Sequence, residues 1–220
     1  MNYFSLSTKN KQIKVYELKN KSNDTYTKIK AILDKGTLNK SDVIDMSVEK
    51  DKRKAVAIHH SATHLMHAAL KEVLGEHVQQ KGSLVDEHKL RFDFSHSKPL
   101  SKEEISQIET IVNHEMLNNV EVTTEIMELD KAMESGAQAL FGEKYDDEVR
   151  VLSMGEKSFS VELCGGTHVD RTGDMGLFII VNQSSVASGI RRIEALSGKQ
   201  AIAYLEELRA VNDSIQSLLN

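Results

Sequence analysis

Cysteine is almost absent from this sequence: Cys164 is the single thiol among 220 residues. One cysteine excludes a disulfide within the chain and is typical of a reducing compartment. No stretch approaches the roughly 20 consecutive apolar residues of a membrane-spanning helix, and the longest relevant run, Gly176–Val181, predicts a β-strand instead. The first residues, Met1 to Asn10, lack the apolar segment of a signal peptide. We therefore expect a cytoplasmic protein without membrane association.

The composition is that of an ordinary globular protein, with 40% hydrophobic and 28% charged residues. The length allows one large domain or two small ones. The net charge of −5 is unevenly distributed: residues 1–54 hold 13 Lys/Arg against 7 Asp/Glu, and residues 55–220 hold 15 against 26. The basic N-terminal segment either touches a phosphate backbone or is a solvated lysine-rich surface, and charge alone favours the second interpretation.

Two short motifs carry the chemistry of the sequence, namely His60-Ser-Ala-Thr-His64 and Cys164-Gly-Gly-Thr-His168. The first lies in a predicted helix, where residues four apart share a face with Cβ atoms about 5–6 Å apart. The second lies in a Gly-Gly turn, which folds tightly enough for a thiolate and an imidazole to face one point. Each motif therefore offers two potential metal ligands.

One cysteine and three histidines form a recognised tetrahedral zinc set. Each pair by itself has a plainer interpretation, because a helical His pair is usually a surface or packing feature and a lone Cys is usually a small buried hydrophobe. The metal site is favoured because the sole thiol of the chain, Cys164, is followed four residues later by His168. The remaining histidines are not expected to be ligands: His59, His67, His77, His88, His96 and His114.

The hydrophobic pattern predicts an α+β fold, with a mostly antiparallel sheet packed against helices and the zinc site between a long helix and a loop at a sheet end. Residues 1–50 predict a partial β-rich, barrel-like segment. Helical spacing predicts a helix over 51–74 with Gly75 as its C-cap. A capping box at Ser101 and Glu104 starts a second helix through Met116.

The remaining elements are predicted from alternation and turn signals. Asp130 is expected to N-cap a short helix that reaches Phe141, and residues 198–220 form a final amphipathic helix. The apolar stripe of that last helix is expected to pack into a core rather than to form an oligomer seam. Strands are expected at 83–85, 89–94, 120–129, 149–154, 158–163, 175–182 and 190–195.

Several longer motifs resemble alanyl-tRNA synthetase, in the region of its editing domain, from about residue 50 to the end of the chain. They include the two half-sites within His60–His67 and Glu162–His168, and they occur in the family's order. The others are Gln80-Lys-Gly-Ser83, Arg91-Phe-Asp-Phe-Ser-His96, Ala139-Leu-Phe-Gly-Glu-Lys-Tyr145 and Arg191-Arg-Ile-Glu-Ala195. Threonyl-tRNA synthetase and free-standing alanyl-tRNA editing proteins contain related modules, but these usually share only the half-sites.

The resemblance implies a partial β-rich segment over 1–50, an editing domain over 51–197 and the start of a helical connection over 198–220. The aminoacylation region is missing, so we expect a fragment that does not charge tRNA. In the parent enzyme, ATP is expected to bind only in the part that this sequence lacks. Its implied substrate is the aminoacylated 3′ end of tRNA(Ala), mischarged with serine or glycine. The sequence does not indicate the oligomeric state.

The resemblance also implies roles for individual residues. Zinc ligands are His60, His64, Cys164 and His168. Thr63 and Gln80 are candidate catalytic residues: Thr63 reads the serine hydroxyl or only packs, and Gln80 orients water or the aminoacyl group or is only a polar surface residue. Substrate contacts are assigned to Gly165, Gly166, Thr167, Arg191 and Arg192, and Glu162 is expected to orient a ligand histidine.

Two uses of zinc remain open at this point: lowering the pKa of a bound water, or positioning the substrate while another water attacks. Four protein ligands fill a tetrahedral shell and argue against a permanently bound water. Positions 61 to 63 are Ser, Ala and Thr, which disfavours a metalloprotease of the His-Glu-x-x-His type. The alternatives to an editing domain are a free-standing trans-editing protein and a zinc- and tRNA-binding module without catalysis.

Overall fold

The computed structural model describes residues 4–8, 11–19, 28–33, 37, 39, 45–139 and 145–219. The chain divides into two units, residues 1–55 and residues 56–220. The larger unit contains both half-sites, and the smaller one contains the basic N-terminal segment.

The smaller unit contains a four-stranded antiparallel sheet in the order β3-β2-β1-β4. Its β-rich character agrees with the sequence prediction, although the first strand was not anticipated. Several residues of this segment, including 20–27 and 40–44, lie outside the described residues. The strands are β1 (Phe4–Thr8), β2 (Lys11–Lys19), β3 (Lys28–Leu33) and β4 (Asp45–Val48).

Helix α1 (Lys50–Leu74) forms as its apolar periodicity predicts. It ends at Gly75, whose φ of +108° lies in a region that L-residues with a Cβ rarely adopt. The Gly75 N–H donates to the carbonyl of Lys71 at 2.8 Å, which satisfies a carbonyl of the last turn. The length of α1 places the His60–His64 turn near its middle, where the backbone is regular.

Two separate antiparallel sheets accompany α1, where the sequence suggested one. A four-stranded sheet has the order β10-β11-β6-β5, and a three-stranded sheet has the order β7-β8-β9. The α+β class and the antiparallel pairing are confirmed, but alternation within a strand does not reveal which sheet the strand joins. The strands are β5 (Gln80–Val85), β6 (Leu90–Ser95), β7 (Thr123–Glu128), β8 (Glu148–Met154), β9 (Ser160–Leu163), β10 (Phe178–Ala187) and β11 (Ile190–Ser197).

The main core lies between α1, helix α2 (Lys102–Leu117) and the four-stranded sheet. Strand β6 contributes alternate fully buried residues, which is the period-2 pattern of a strand with one face on the core. Burying these side chains holds α1 against the sheet, so its His-bearing stripe has a fixed position. Fully buried members of the core include Leu65, Met66, Leu70, Leu90, Phe92, Phe94, Ile108 and Ile193.

Local signals predicted one helix start correctly and another wrongly. The capping box at α2 is confirmed, since the Ser101 hydroxyl accepts from the N–H of Glu104 and the Glu104 carboxylate accepts from the N–H of Ser101. Helix α3 (Leu129–Glu134) has its N-cap at Glu128 instead of Asp130, without a side-chain cap, and ends before residue 135. Phe141, its expected end, lies outside the described residues.

Helix α4 (Lys199–Leu219) forms as predicted, but its apolar stripe does not enter a core. Among the described residues, the stripe is 44–85% exposed at Ile202, Leu205, Leu208, Val211, Ile215 and Leu218. The expectation of core packing is therefore wrong, because an amphipathic pattern specifies a face but does not specify what covers it. None of the helices in the described part of the chain is long and apolar enough to cross a membrane.

Candidate metal centre

The two half-sites converge on one point between α1 and the loop that follows β9. The Nε2 or Nδ1 atoms of His60, His64 and His168 and the Sγ of Cys164 all lie within 4.8 Å of one another. Within the described residues, this is the single group of three or more His, Cys, Asp or Glu side chains that meets the geometry of a metal site. The structure therefore brings together the four ligands predicted from the sequence.

The spacing of the ligand atoms fits a tetrahedral zinc ion. Zinc–nitrogen bonds of about 2.0 Å and a zinc–sulfur bond of about 2.3 Å give an N···S edge of about 3.5 Å in a tetrahedron. The Sγ of Cys164 lies 3.6 Å from Nε2 of His60 and 3.3 Å from Nε2 of His168. Both distances match that edge, so the donor set fits zinc in number, type and spacing.

His64 presents the atom that a metal requires. Its Nδ1 lies 2.7 Å from the Glu162 carboxylate, and its buried Nε2 has no hydrogen-bond partner among the described residues. In the described part of the chain, the Nε2 atoms of His59 and His67 are likewise buried without a partner, but of these three histidines only His64 belongs to the cluster. A metal ion in the cluster would supply the missing partner of Nε2, and Glu162 would fix the ring of His64 from the other side.

The protonation states of Cys164 and His168 suit a metal as well, whereas His64 would release a proton on binding one. Burial opposes the Cys164 thiolate, but hydrogen bonding with the His168 and His60 rings lowers the pKa of the thiol to about 3. Burial lowers the pKa of His168 to about 4, so its imidazole is neutral at pH 7. A thiolate and a neutral imidazole are the forms in which these side chains bind zinc.

Glu162 is a buried carboxylate that joins two histidines of α1. It accepts from Nδ1 of His64 and, at 2.9 Å, from Nδ1 of His67. Burial opposes the charged form of His64, but the Glu162 charge outweighs it and raises the pKa of His64 to about 10. Burial likewise opposes ionised Glu162, but His64 holds its pKa well below the usual range. The expected orienting contact of Glu162 is thus present in the structure.

The loop half-site depends on Gly166 for space. A Cβ at this position would lie 2.3 Å from Cε1 and 2.7 Å from Nδ1 of His60, which no real contact allows. At Gly165, a Cβ would meet nothing within 4 Å. The second glycine of the motif is therefore needed for close approach to a ligand ring, and the first is not.

Two residues that sequence reasoning missed hold the same loop in place. The Arg150 guanidinium of β8 donates to the carbonyls of Gly166 and Cys164. The Ser61 hydroxyl lies 3.2 Å from Nδ1 of His168 and accepts from the N–H of Val169. Arg150 gave no local signal, whereas Ser61 stands inside the His60–His64 motif and was passed over as a spacer.

The two candidate catalytic residues occupy different surroundings. Thr63 is 4% exposed and its hydroxyl donates to the carbonyl of His59 at 2.8 Å, so only its oxygen lone pairs are available to a further partner. Gln80, at the start of β5, lines a cavity of about 330 Å³ together with His67 and Gln138. A neighbouring cavity of about 390 Å³ shares His67 and reaches Glu162. Glu162 thus connects the ligand cluster to a polar cavity that the four ligands themselves do not line.

The remaining predicted substrate contacts lie in two parts of the structure, the loop after β9 and strand β11. Gly165 and Thr167 are exposed in the loop between Cys164 and His168, and Gly166 is partly buried there. Arg192 is held by Asp93 through two hydrogen bonds of 2.6 and 2.7 Å, and Arg191 donates to Gln183 at 3.3 Å. Both arginines lie on β11 and have protein partners of their own.

Comparison with known proteins agrees with this arrangement of motifs. Residues 149–194 match the family model described as the threonyl and alanyl tRNA synthetase second additional domain. Alanine–tRNA ligases of Parvibaculum lavamentivorans and Burkholderia multivorans are each 55% identical to the chain, over 194 and 187 residues. That of Shewanella loihica is 52% identical over 184 residues.

These alignments cover 83–84% of the chain and 21–22% of the ligases. The chain thus spans about a fifth of the length of the curated relatives it matches. The high identity over most of the chain, together with the domain match that contains Cys164 and His168, shows that the chain belongs to the alanyl-tRNA synthetase family.

Proposed function

We propose that this chain is the zinc-dependent editing domain of an alanyl-tRNA synthetase, which hydrolyses the ester bond of tRNA(Ala) mischarged with serine or glycine. The observation that carries the proposal is the convergence of three imidazoles and one thiolate from two half-sites 104 residues apart. Attachment of alanine to tRNA with ATP would belong to the rest of the parent enzyme, and we expect that enzyme in the cytoplasm.

Editing answers a problem of discrimination. An activation pocket that accepts the methyl group of alanine rejects serine or glycine weakly, because one small group is worth only about 1–3 kcal/mol. Serine is larger than alanine, so a second site cannot spare alanine by size exclusion. The editing site must recognise the serine hydroxyl by a hydrogen bond.

Thr63 is the residue that we assign to this recognition. It lies between His60 and His64 in the sequence of α1, and its hydroxyl hydrogen is committed to the carbonyl of His59. Its oxygen therefore acts as an acceptor, and a serine hydroxyl is a donor of matching polarity. Alanine has no such donor.

The hydrolysis itself needs a water, an oriented ester and a stabilised oxyanion. Water adds to the ester carbonyl, the bond to the ribose oxygen breaks, and the products are a free amino acid and uncharged tRNA. Zinc held by His60, His64, Cys164 and His168 would supply Lewis acidity toward water or the ester group. Gln80, facing the cavity, orients the water or the aminoacyl group but is too weak a base to remove a proton alone.

Backbone donors of the loop complete the proposed site. The N–H groups of Gly165 and Gly166 lie beside a ligand cysteine, where they can stabilise the developing oxyanion. Thr167 is a second candidate for contact with the amino acid. Arg191 and Arg192 are assigned to tRNA phosphates, which requires Arg192 to share its guanidinium between Asp93 and phosphate.

The decisive experiment is deacylation by the purified chain. Seryl-, glycyl- and alanyl-tRNA(Ala) are incubated with the protein before and after zinc removal, and again after zinc is restored. We expect rapid loss of serine and glycine, slow loss of alanine, and dependence on zinc. Zinc binding without any deacylation would instead identify a zinc- and tRNA-binding module, and activity that survives complete metal removal would contradict the role of zinc.

A further inference from the structure

We propose that Ser61 is a positioning residue for the metal centre, holding the His168 ring so that its Nε2 faces the ion. The inference rests on the metal binding proposed above and adds a residue to it. Ser61 immediately follows His60 on α1, and its side chain is fully buried. It stands inside the ligand motif without being a ligand.

The hydroxyl of Ser61 joins α1 to the loop half-site at two points. Its oxygen accepts from the N–H of Val169 at 3.1 Å and lies 3.2 Å from Nδ1 of His168. In the sequence, Ser61 is separated from Val169 by 108 positions and from His168 by 107. One side chain therefore fixes both the backbone next to His168 and the imidazole itself.

The chemistry of a metal-bound imidazole assigns the direction of the second hydrogen bond. Nε2 of His168 lies 3.3 Å from Sγ of Cys164, on the side of the ring that faces the cluster. A lone pair on Nε2 for the metal leaves the ring proton on Nδ1. The Ser61 oxygen lies at Nδ1 and has two lone pairs, one for Val169 and one for His168. Bound this way, His168 has a single tautomer and a single ring orientation.

The two half-sites would thus be supported by different groups. His64 on the helix is oriented by the Glu162 carboxylate at 2.7 Å, and His168 on the loop is oriented by a neutral hydroxyl. An outer partner of a metal ligand typically changes metal affinity by about 10- to 100-fold. We expect Ser61 to contribute in that range.

Zinc affinity of Ser61→Ala, measured by competition with a chromogenic chelator, tests the proposal. The dissociation constant should rise by about 10- to 100-fold, and the cobalt-substituted protein should show an altered d–d spectrum. Ser197→Ala is the matched control, because Ser197 is equally buried and its hydroxyl donates to the carbonyls of Met175 and Leu177. Both variants should lose some thermal stability, but only Ser61→Ala should lose zinc affinity.

The outcomes separate the two proposals. Failure of the wild-type chain to bind zinc would refute the metal centre itself. Wild-type zinc affinity and an unchanged cobalt spectrum in Ser61→Ala would overturn the role of Ser61 and leave the metal centre intact. If Ser61→Ala does not fold, ¹⁵N-histidine NMR of the zinc-loaded wild type decides: a slowly exchanging Nδ1–H on His168 supports the proposal, and an Nε2-protonated or rapidly exchanging ring overturns it.

Discussion

The two half-sites of the proposed metal centre bring their side chains together in different ways. On α1, the regular helix places His60 and His64 on one face through their spacing of four residues, and Glu162 orients the ring of His64. After β9, the backbone has no such regularity, and the Cys164–His168 loop is held by contacts from elsewhere in the chain. Those contacts come from Arg150 and Ser61, and the loop approaches the His60 ring closely because Gly166 has no Cβ.

This difference has a consequence for how each half-site fails. The helical pair is secured by the burial of the whole α1 face, which single substitutions at its surface leave intact. The loop pair depends on a few individual atoms, so small changes there should displace a ligand. Substitutions in each half-site test that contrast.

Removing the thiol should abolish the site altogether. Cys164→Ala takes away the only sulfur ligand and breaks the link between segments 104 residues apart. Elemental analysis should show zinc falling from about one equivalent per chain to nearly none. Chelation should lower the melting temperature of the wild type, because a bound metal stabilises only the folded state, and should not change that of the variant. Undiminished zinc in Cys164→Ala would remove Cys164 from the ligand set.

Gly166→Ala should come close to the same result without touching a ligand. The added Cβ would overlap the His60 ring at 2.3 Å, so the ring or the loop must move. We expect zinc affinity to fall by more than a hundredfold, beyond the usual effect of an outer partner. Gly165→Ala is the matched control, because its Cβ meets nothing within 4 Å. Equal zinc affinities in the two alanine variants would show that the loop adapts and would break the contrast between half-sites.

Glu162→Gln addresses the support of the helical half-site. His64 and His67 contact different oxygens of Glu162, and in the amide one of these positions becomes an NH2 group, which cannot accept from an imidazole N–H. Zinc affinity should fall by about 10- to 100-fold. His67→Gln is the comparison, since it removes the second hydrogen bond while leaving the one to His64, and its effect on affinity should be several times smaller. A larger loss in His67→Gln would indicate that Glu162 acts chiefly through the cavity side.

The limits of sequence reasoning follow the same division. The proximity of His60 to His64, the Gly75 cap and the capping box at Ser101 were predictable, because the partners lie within about one helical turn. The roles of Arg150 and Ser61 were not predictable, because each depends on a partner that only the folded chain brings near. The motif Cys164-Gly-Gly-Thr-His168 showed which side chains were available but not why the second glycine is needed.

Tertiary partners also decided the elements that were predicted wrongly. The stripe of α4 is periodic, yet its residues are exposed in the described chain, since the pattern is equally compatible with a core or with a partner. Likewise, the alternation of apolar and polar residues located strands β7 and β8. It did not show that they belong to a different sheet from β6 and β11. Helix α3 begins at Leu129 with Glu128 as its N-cap, so Asp130 lies within its first turn, where a negative charge suits the helix dipole.

The smallest expected effect concerns a helical residue that binds no metal. Thr63→Val keeps the shape of the side chain and removes both the bond to His59 and the proposed acceptor for a serine hydroxyl. Losing one buried hydrogen bond costs about 1–3 kcal/mol, so seryl-tRNA hydrolysis should fall by roughly ten- to a hundredfold. Zinc affinity should stay that of the wild type, because His60 and His64 remain and a threonine bond to the preceding turn adds little to helix stability.

The quantity to measure is the ratio of seryl- to alanyl-tRNA hydrolysis rates in Thr63→Val and the wild type. The ratio should fall, because alanine never used the contact and its slow hydrolysis is unaffected. Thr110→Val is a suitable control, since Thr110 makes the same bond to the preceding helical turn but lies exposed on α2. An unchanged ratio in Thr63→Val with zinc intact would remove Thr63 from substrate recognition. Recognition of serine would then be assigned to the loop half-site, where Thr167 is the next residue to test.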